Sequence, residues 1–137
     1  MKASKLIYRA LLEIGVVAPS ETPTADQSAD ALTELQMLAD TERERIKTSI
    51  PNWPTEPVEL FDELGSVPAI WLHFLQLGLS VALCPSYGLP VSAELLAKYN
   101  RALRIIERDS AQKYPRAPDQ TLASMTYNDT FNILSGE

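Results

Sequence analysis

The segment Leu83–Leu95, LCPSYGLPVSAEL, decides how the chain is organised, because it ends one helix and begins another within a few residues. Pro85 cannot donate a backbone hydrogen bond, and its ring clashes with the preceding turn, so the first helix must end beside it. Gly88 and Pro90 are typical of turns, and Ser92 is a typical N-cap. The segment therefore predicts a tight corner between two helices.

The run before the corner, Val67–Leu83, is almost continuously apolar and predicts a buried core helix with Ser66 as its N-cap. A membrane span is the alternative interpretation. The run is slightly short for a span, and polar residues interrupt it at His73, Gln76 and Ser80. No basic cluster flanks it either. We therefore interpret the run as the central helix of a globular fold, with no membrane partner.

The residues after the corner, from Ser92 to about Tyr114, predict an amphipathic helix. Four cations share the side opposite its apolar face, and we call them the basic stripe: Lys98, Arg101, Arg104 and Arg108. Such a stripe is more often a solvated helix face than a binding site. Its functional interpretation is a contact with an acidic partner, because arginine side chains bind carboxylates through two parallel hydrogen bonds.

Two more helices are predicted nearer the start of the chain. The first runs from Ser4, its N-cap, to Gly15, a residue typical of helix ends. The second covers residues 25–46 and begins with a capping box at Thr24. Glu42 falls on its apolar side, and we expect this residue to fray into solvent rather than to find a buried partner. Helix formers dominate the chain, so the predicted fold class is all-α: a four-helix bundle with an extended C-terminal tail.

The proline-rich segment 48–65, TSIPNWPTEPVELFDELG, predicts a loop or tight arm with one short turn over residues 58–64. We expect Trp53 and Phe61 to pin this arm to the body or to a neighbouring molecule. The arm also carries the acidic residues Glu56, Glu59, Asp62 and Glu63. Clustered carboxylates can serve as an acid/base pair for glycoside cleavage, but a solvated acidic turn is the simpler interpretation.

Composition narrows the possible functions. With 137 residues the chain has the length of one domain, and its net charge of -6 disfavours tight non-specific binding to duplex DNA. The single cysteine, Cys84, excludes an internal disulfide, and the single histidine, His73, leaves no cluster of metal ligands. On one helix these two residues lie roughly 16 Å apart, too far for a catalytic pair. The sequence therefore predicts no enzyme activity, no metal and no cofactor, and the absence of a basic-then-apolar leader predicts an intracellular origin.

Helical periodicity stops after about Tyr114, so we divide the chain into a helical domain of residues 1–113 and a C-terminal extension of residues 114–137. The extension is too apolar for a merely solvating tail. We predict that it docks on a neighbouring copy or another protein through five apolar or aromatic side chains: Tyr114, Tyr127, Phe131, Ile133 and Leu134.

The string GLSVALCPSYGLPVSAELLAKYNRAL, residues 78–103, resembles the central signature of small head-to-tail adaptor proteins of short-tailed phages. These proteins are also described as packaged-DNA stabilisation proteins or tail accessory factors. Their pattern is an apolar helix with an alanine-rich end, then Pro-x-Tyr-Gly, a serine cap and an amphipathic helix. The matching residues here are Ala82, Pro85, Tyr87, Gly88 and Ser92.

The resemblance extends beyond this string. The segments LIYRALLEIGVV and DALTELQMLAD also look like the family, so about residues 4–112 are covered. Relatives often carry a tryptophan near the end of the second helix and a longer arm before the third. Here Trp53 lies instead in a short proline-rich loop, which leaves the arm's role in ring contacts open.

This resemblance implies a structural virion protein that is made in the host cytoplasm and acts at the head-tail junction. It would assemble as a ring, usually a dodecamer, beneath the portal protein, extend the DNA channel, help retain packaged DNA and hold downstream tail proteins. Duplex DNA would pass without sequence-specific binding, and the four arm carboxylates are candidates for the channel or its rim. The basic stripe would contact the portal or a neighbouring copy. The alternatives are a small intracellular regulator that binds one protein partner and, less favoured, a cell-wall glycosidase that uses the acidic turn.

Overall fold

The computed structural model describes residues 1–46 and 50–113, and these residues contain four α-helices and no strands. The helices are α1, Ala3–Glu13; α2, Ala25–Ile46; α3, Ala69–Leu83; and α4, Ala93–Lys113. A 3₁₀-helix at Pro85–Tyr87 lies between α3 and α4. The all-α character predicted from the sequence is therefore confirmed for the described residues. The chain divides into two units, Met1–Glu107 and Arg108–Glu137.

Helix α3 forms the centre of the core and packs against both α1 and α2. The largest of its buried side chains are Trp71, Phe74, Leu75, Leu77, Leu79 and Leu83. The hydroxyl group of Ser80 is also buried, and it donates a hydrogen bond of 3.0 Å to the backbone oxygen of Ala10 in α1. By length and composition Ala69–Tyr87 could cross a membrane, but 56% of its apolar window is buried inside the protein. That burial is typical of a core helix.

The arm caps the start of α1, so the prediction of Ser4 as the N-cap is wrong. The helix begins at Ala3 and has no side-chain cap. The backbone N–H groups of Ala3 and Ser4 donate instead to the backbone oxygens of Asp62 and Leu60, at 3.0 and 2.8 Å. Because the first N–H groups of a helix lack partners within it, these two bonds join the arm to α1 while they complete the helix.

The predicted Ser66 cap of α3 is also wrong. The helix begins at Ala69, Pro68 occupies the cap position in an extended conformation, and no side chain makes a capping hydrogen bond. The backbone oxygen of Pro68 accepts the N–H groups of Trp71 and Leu72, at 3.0 and 3.1 Å. The restricted φ of proline suits this position, because Pro68 is the last residue before the helical turn.

The other two predicted caps are confirmed. The N–H of Thr24 donates to Oε1 of Gln27 at 2.9 Å, and the N–H of Gln27 donates to Oγ1 of Thr24 at 3.2 Å, which makes a reciprocal capping box. At the start of α4, the N–H of Leu95 donates to Oγ of Ser92 at 3.0 Å. These side chains satisfy helix donors that would otherwise need water.

The corner between α3 and α4 has the backbone geometry of a helix end. Gly88 has a φ of 65°, its N–H donates to the oxygen of Pro85 at 3.1 Å, and the N–H of Leu89 donates to the oxygen of Cys84 at 2.9 Å. Gly15 ends α1 with a similar positive φ of 78°. This pair of bonds around a left-handed residue is the Schellman pattern, and it explains why the chain turns sharply after Pro85.

We expect Gly88→Ala to lower the free energy of unfolding by about 1 kcal/mol, because a side chain disfavours the left-handed conformation. Steric clashes should not add to this loss of stability, since no atom lies within 4 Å of a Cβ placed on Gly88. Urea unfolding followed by circular dichroism measures the change. Gly88→Asn is the matched control, because asparagine tolerates this conformation and should cost less. Equal losses for both variants would contradict the explanation.

Helix α4 reaches the core through one face, on which Leu95, Ala102 and Ile106 are buried. The ring of Tyr99 stacks on Phe74 of α3, with centroids 5.5 Å apart and an interplanar angle of 19°. Neighbouring Gly78 leaves the space for this contact, because a Cβ at that position would lie 3.3 Å from the Tyr99 ring. The apolar face predicted for α4 thus packs on the core except at Leu96, a member of that predicted face that is 45% exposed.

Candidate functional site

The basic stripe is exposed along α4, but one of its members has an intramolecular partner. Nζ of Lys98 donates to Oε1 of Glu13 in α1 at 2.8 Å, and 44% of the Lys98 side chain remains exposed. The hydrogen bond and charge of Glu13 raise the pKa of Lys98. Lys98 therefore joins α4 to the end of α1, in addition to any contact that it makes outside the molecule.

The middle of the stripe is open to a partner. Arg101 and Arg104 are exposed and form no ion pair with another described residue. Ile105 directly follows Arg104 and lies about one turn beyond Arg101, and it is 42% exposed although it is a large apolar side chain. Arg108 is exposed as well, and it belongs to the second unit of the chain. Two free guanidinium groups beside an exposed isoleucine are suited to a partner with carboxylates around an apolar contact.

Helix α2 has an exposed face of opposite charge, which the sequence analysis missed. We call it the acidic face, and it consists of Asp26, Asp30, Met37 and Glu44. Met37 is 58% exposed, and the three carboxylates form no ion pair with another described residue. A helical wheel drawn for the outer side of α2, rather than for its apolar side, would have identified this face.

Three of the four arm carboxylates, Glu56, Glu59 and Asp62, line one pocket of about 410 Å³, and Glu63 is not part of its lining. Oδ2 of Asp62 accepts the backbone N–H of Glu59 at 2.8 Å, which closes the short turn predicted for this region. The carboxylate of Glu63 accepts a hydrogen bond from the N-terminal ammonium group of Met1, and this bond lowers the pKa of Glu63. Glu56 and Glu59 are exposed. The backbone oxygen of Asp62 and the carboxylate of Glu63 thus hold the arm to the start of the chain, while the carboxylates of Glu56 and Glu59 face solvent.

The two aromatic residues of the arm have different positions. Trp53 is partly buried and packs against the core, so it pins the arm to the body as predicted. Phe61 is 73% exposed and does not pin the arm to the body, so a contact with a neighbouring molecule stays its prediction. It lies where the arm turns, since Asp62 donates its N–H to the oxygen of Glu59 at 3.1 Å.

A largely apolar groove of about 940 Å³ lies between α1, the α1–α2 loop, the start of α2 and the arm. Its apolar walls include Tyr8, Leu32, Leu60 and Phe61. The sequence analysis missed this groove because its walls come from segments far apart in the chain. Concave apolar surfaces of this kind are where proteins commonly bind ligands or partner segments.

A buried polar network joins α2 to α4, and it overturns the expectation that Glu42 frays into solvent. Glu42 is only 5% exposed, and its Oε1 accepts a hydrogen bond of 3.0 Å from the Tyr99 hydroxyl group. Nε of Arg45 lies 3.3 Å from Oε2 of Glu42 as an ion pair, without the alignment of a hydrogen bond. Because α4 covers this part of α2, the carboxylate is shielded from water and held by partners from two helices.

We expect this network to make stability depend on pH above 10. Burial, followed by the charge of Glu42, raises the pKa of Tyr99 from 10.0 to about 12. Below pH 10 Tyr99 is neutral in both the folded and the unfolded state, and its hydrogen bond contributes fully to the free energy of unfolding. Above pH 10 the unfolded chain loses this proton first, so the contribution falls as the pH rises through about 12.

Tyr99→Phe tests this expectation. The variant should be less stable than the native protein by about 1.5–3 kcal/mol near neutral pH, because a hydrogen bond to a buried carboxylate is lost. The difference should narrow between pH 10 and 12, since only the native protein carries the shifted tyrosine. Urea unfolding of both proteins across this range measures the difference. Two parallel stability curves would show that Tyr99 does not titrate as described.

The residues considered for catalysis remain apart in the structure. Cys84 is buried and donates to the backbone oxygen of Ser80 at 3.3 Å, whereas His73 is exposed on α3. Within residues 1–46 and 50–113, no group of three or more histidine, cysteine, aspartate or glutamate residues is placed to hold a metal ion. Cys84 therefore acts as a small core residue in the described part of the protein.

The predicted docking residues of the tail lie outside the described residues: Tyr114, Tyr127, Phe131, Ile133 and Leu134. Their role stays a prediction. The surfaces in the described part that could meet a partner are thus the basic stripe, the acidic face and the apolar groove. Neither a scan against protein-family models nor a search of curated proteins finds a match to this chain.

Proposed function

We propose that this protein is a head-to-tail adaptor of a short-tailed phage. In this proposal it is a four-helix bundle with an extended C-terminal tail, made in the host cytoplasm and incorporated at the head-tail junction of the virion. It forms a ring, which we expect to be a dodecamer, beneath the portal protein and holds the downstream tail proteins. It is not an enzyme and needs no cofactor.

The corner at residues 84–92 is the observation that carries this proposal. The resemblance to the adaptor family rests on an apolar helix, Pro-x-Tyr-Gly, a serine cap and an amphipathic helix in that order. Each element has a physical role here: α3 is the core helix, Gly88 adopts a left-handed conformation, and Ser92 caps α4. Since these residues act together in building one corner, their order supports the resemblance more strongly than any of them alone.

The distribution of charge also agrees with a DNA conduit. Glu56 and Glu59 are exposed and without a structural partner among the side chains described above, so they remain the better candidates for the channel or its rim. Negative charge there would let duplex DNA slide, because only cationic surfaces gain affinity by releasing counterions from DNA. The carboxylate of Asp62 accepts a hydrogen bond within the arm and that of Glu63 binds the N-terminal ammonium group, so these two residues are weaker candidates.

The test is to mix the purified protein with the portal protein encoded in the same genome and to weigh the products by mass photometry. A discrete mass of portal plus ring, with little assembly of the protein alone at the dilution of that method, would support the adaptor function and give its stoichiometry. An unchanged portal mass at excess adaptor would contradict the proposal.

A small intracellular regulator that binds one protein partner is the second candidate function. The apolar groove of about 940 Å³ favours it, because such a groove can take an apolar segment of another protein. A regulator would ignore the portal and remain a monomer or dimer. The mass measurement therefore separates the two functions.

We expect the acidic turn to have no role in cell-wall hydrolysis. The carboxylate of Asp62 accepts a hydrogen bond from the backbone of Glu59, and that of Glu63 binds the N-terminal ammonium group, whereas an acid/base pair requires carboxylates free to face a sugar. Glu59→Gln, Asp62→Asn and Glu63→Gln, made separately, should leave any hydrolysis of purified cell walls unchanged. A loss of measured hydrolysis in one of the three would establish an enzyme instead.

A further inference from the structure

We propose that the acidic face of α2 in one copy binds the basic stripe of α4 in the next copy, so that the protein assembles head to tail. The contact would pair Asp30 and Glu44 with Arg101 and Arg104, and Met37 with Ile105. This inference deepens the proposed function. The contact between copies is argued from the two faces, and its closure into a ring beneath the portal rests on the proposed function.

The chemistry of the two faces is complementary. Each face has one exposed apolar residue, Met37 or Ile105, which is 58% or 42% exposed. On α2, Met37 shares one side of the helix with Asp30 and Glu44, each about two turns away, and on α4, Ile105 follows Arg104 and lies about one turn beyond Arg101. Neither set is neutralised by ion pairs among the described residues. An apolar centre with an oppositely charged rim is the arrangement that distinguishes a specific interface from a solvated face.

The two faces also point in directions that suit a head-to-tail contact. Within one molecule α2 and α4 meet through the hydrogen bond of Tyr99 to Glu42. At 3.6 residues per turn, the acidic face lies roughly 120–160° around α2 from Glu42. Arg101, Arg104 and Ile105 lie roughly 120–160° around α4 from Tyr99. Both faces are therefore turned away from the internal contact and cannot satisfy each other within one chain.

This geometry also selects the symmetry of the assembly. A two-fold dimer would have to form this contact twice, so that each copy gives both its acidic face and its basic stripe to the same neighbour. Because the two faces are turned to opposite sides of the α2–α4 contact, one neighbour cannot cover both. A heterologous contact uses each face with a different neighbour, and its repetition gives a ring where the rotation closes.

Charge reversal provides the test. We would make Arg101→Glu with Arg104→Glu as one variant and Asp30→Arg with Glu44→Arg as another, leaving Asp26 because it stabilises the N-terminal end of α2. Lys5→Glu with Arg9→Glu, on an exposed part of α1, is the control for the first variant, because it changes the net charge equally. Circular dichroism would establish that every variant is folded.

Sedimentation velocity from micromolar to millimolar concentration is the measurement. We expect the native protein and the α1 control to self-associate, less strongly at high salt. Each reversal variant alone should associate more weakly by on the order of a hundredfold, because like charges then face each other. An equimolar mixture of the two variants should associate again, since every contact in an alternating ring pairs opposite charges.

Three results would overturn this inference: a native protein that stays monomeric throughout, a reversal variant that associates like the native protein, or a mixture that fails to recover association. The mass measurement with portal is independent of these results. If the portal binds a ring while charge reversal has no effect, the adaptor function stands with a different lateral contact. If the mixture recovers association and the portal is ignored, the contact stands and the adaptor function fails.

Discussion

Replacing Phe74 by alanine is expected to lower the free energy of unfolding by about 3–5 kcal/mol. Phe74 is fully buried at the centre of the core, where it stacks on Tyr99 and meets the edge of Trp71 at a centroid distance of 6.0 Å. Truncation removes both aromatic contacts and leaves a cavity between α3 and α4. Because domains of this size are stable by only about 5–15 kcal/mol, the variant would lose a large share of its total stability.

Urea unfolding followed by far-ultraviolet circular dichroism measures this loss. Phe61→Ala is a matched control, since it makes the same substitution at a side chain that is 73% exposed. The control should change the free energy of unfolding by less than about 0.5 kcal/mol. A similar loss at both positions would mean that the position of Phe74, with its contacts to α4, does not govern stability.

Deleting residues 115–137 is expected to abolish assembly on the portal while the helical circular dichroism stays intact. The prediction rests on the sequence, because the apolar side chains of the tail are too numerous for a solvating segment. The described core joins buried residues of α1, α2, α3 and α4 up to Ile106, and we expect these contacts to keep the shortened chain helical. The mass of the portal mixture and a circular dichroism spectrum would be compared for the full and shortened chains.

A substitution in the tail provides the matched control for this deletion. Phe131→Ser with Ile133→Ser and Leu134→Ser keeps the full length but removes the apolar side chains, and it should abolish assembly as the deletion does. If only the deletion abolishes assembly, length rather than apolar contact would be the requirement. Loss of helical signal in the shortened chain would instead make the tail part of the folded core.

Local signals in the sequence predicted most of the helices well. Proline and glycine act on the backbone of their own turn, so the corner at residues 84–92 could be recognised without knowledge of any neighbour. The capping box of Thr24 with Gln27 has the same property, because its two hydrogen bonds close over three residues. The apolar run of α3 likewise predicted the helix that forms the centre of the core.

The two wrong caps show the limit of such local reasoning. Ser4 has the residue type of a cap, but the carbonyl groups that complete α1 belong to Leu60 and Asp62, about sixty positions away. Ser66 likewise gives way to Pro68, whose extended backbone already presents its oxygen to the first turn. A cap prediction considers one side chain beside the helix end. In the folded chain, an acceptor from any segment that lies nearby can satisfy the first N–H groups of the helix.

The surfaces divide in the same way. The basic stripe was found from the sequence, because side chains on one helix face recur at a known period. The ion pair of Lys98 with Glu13 could not be found from the sequence, since it joins residues from two helices. The acidic face of α2 could have been found in the same way, from the outer side of that helix. The groove beside Phe61 could not, because its walls come from segments far apart in the chain.

Residue order and type by themselves determined that this chain is helical, where α3 ends, how α4 begins and which side of α4 is charged, because each of these features depends on neighbours within a few residues. Tertiary structure alone decided that Glu42 is buried. Its carboxylate accepts a hydrogen bond from Tyr99 and is shielded from solvent. Tertiary structure also decided that the arm completes α1 and that the charged faces of α2 and α4 turn away from their mutual contact. The physical reason is that burial and pairing depend on distances in space, which only the packed helices establish.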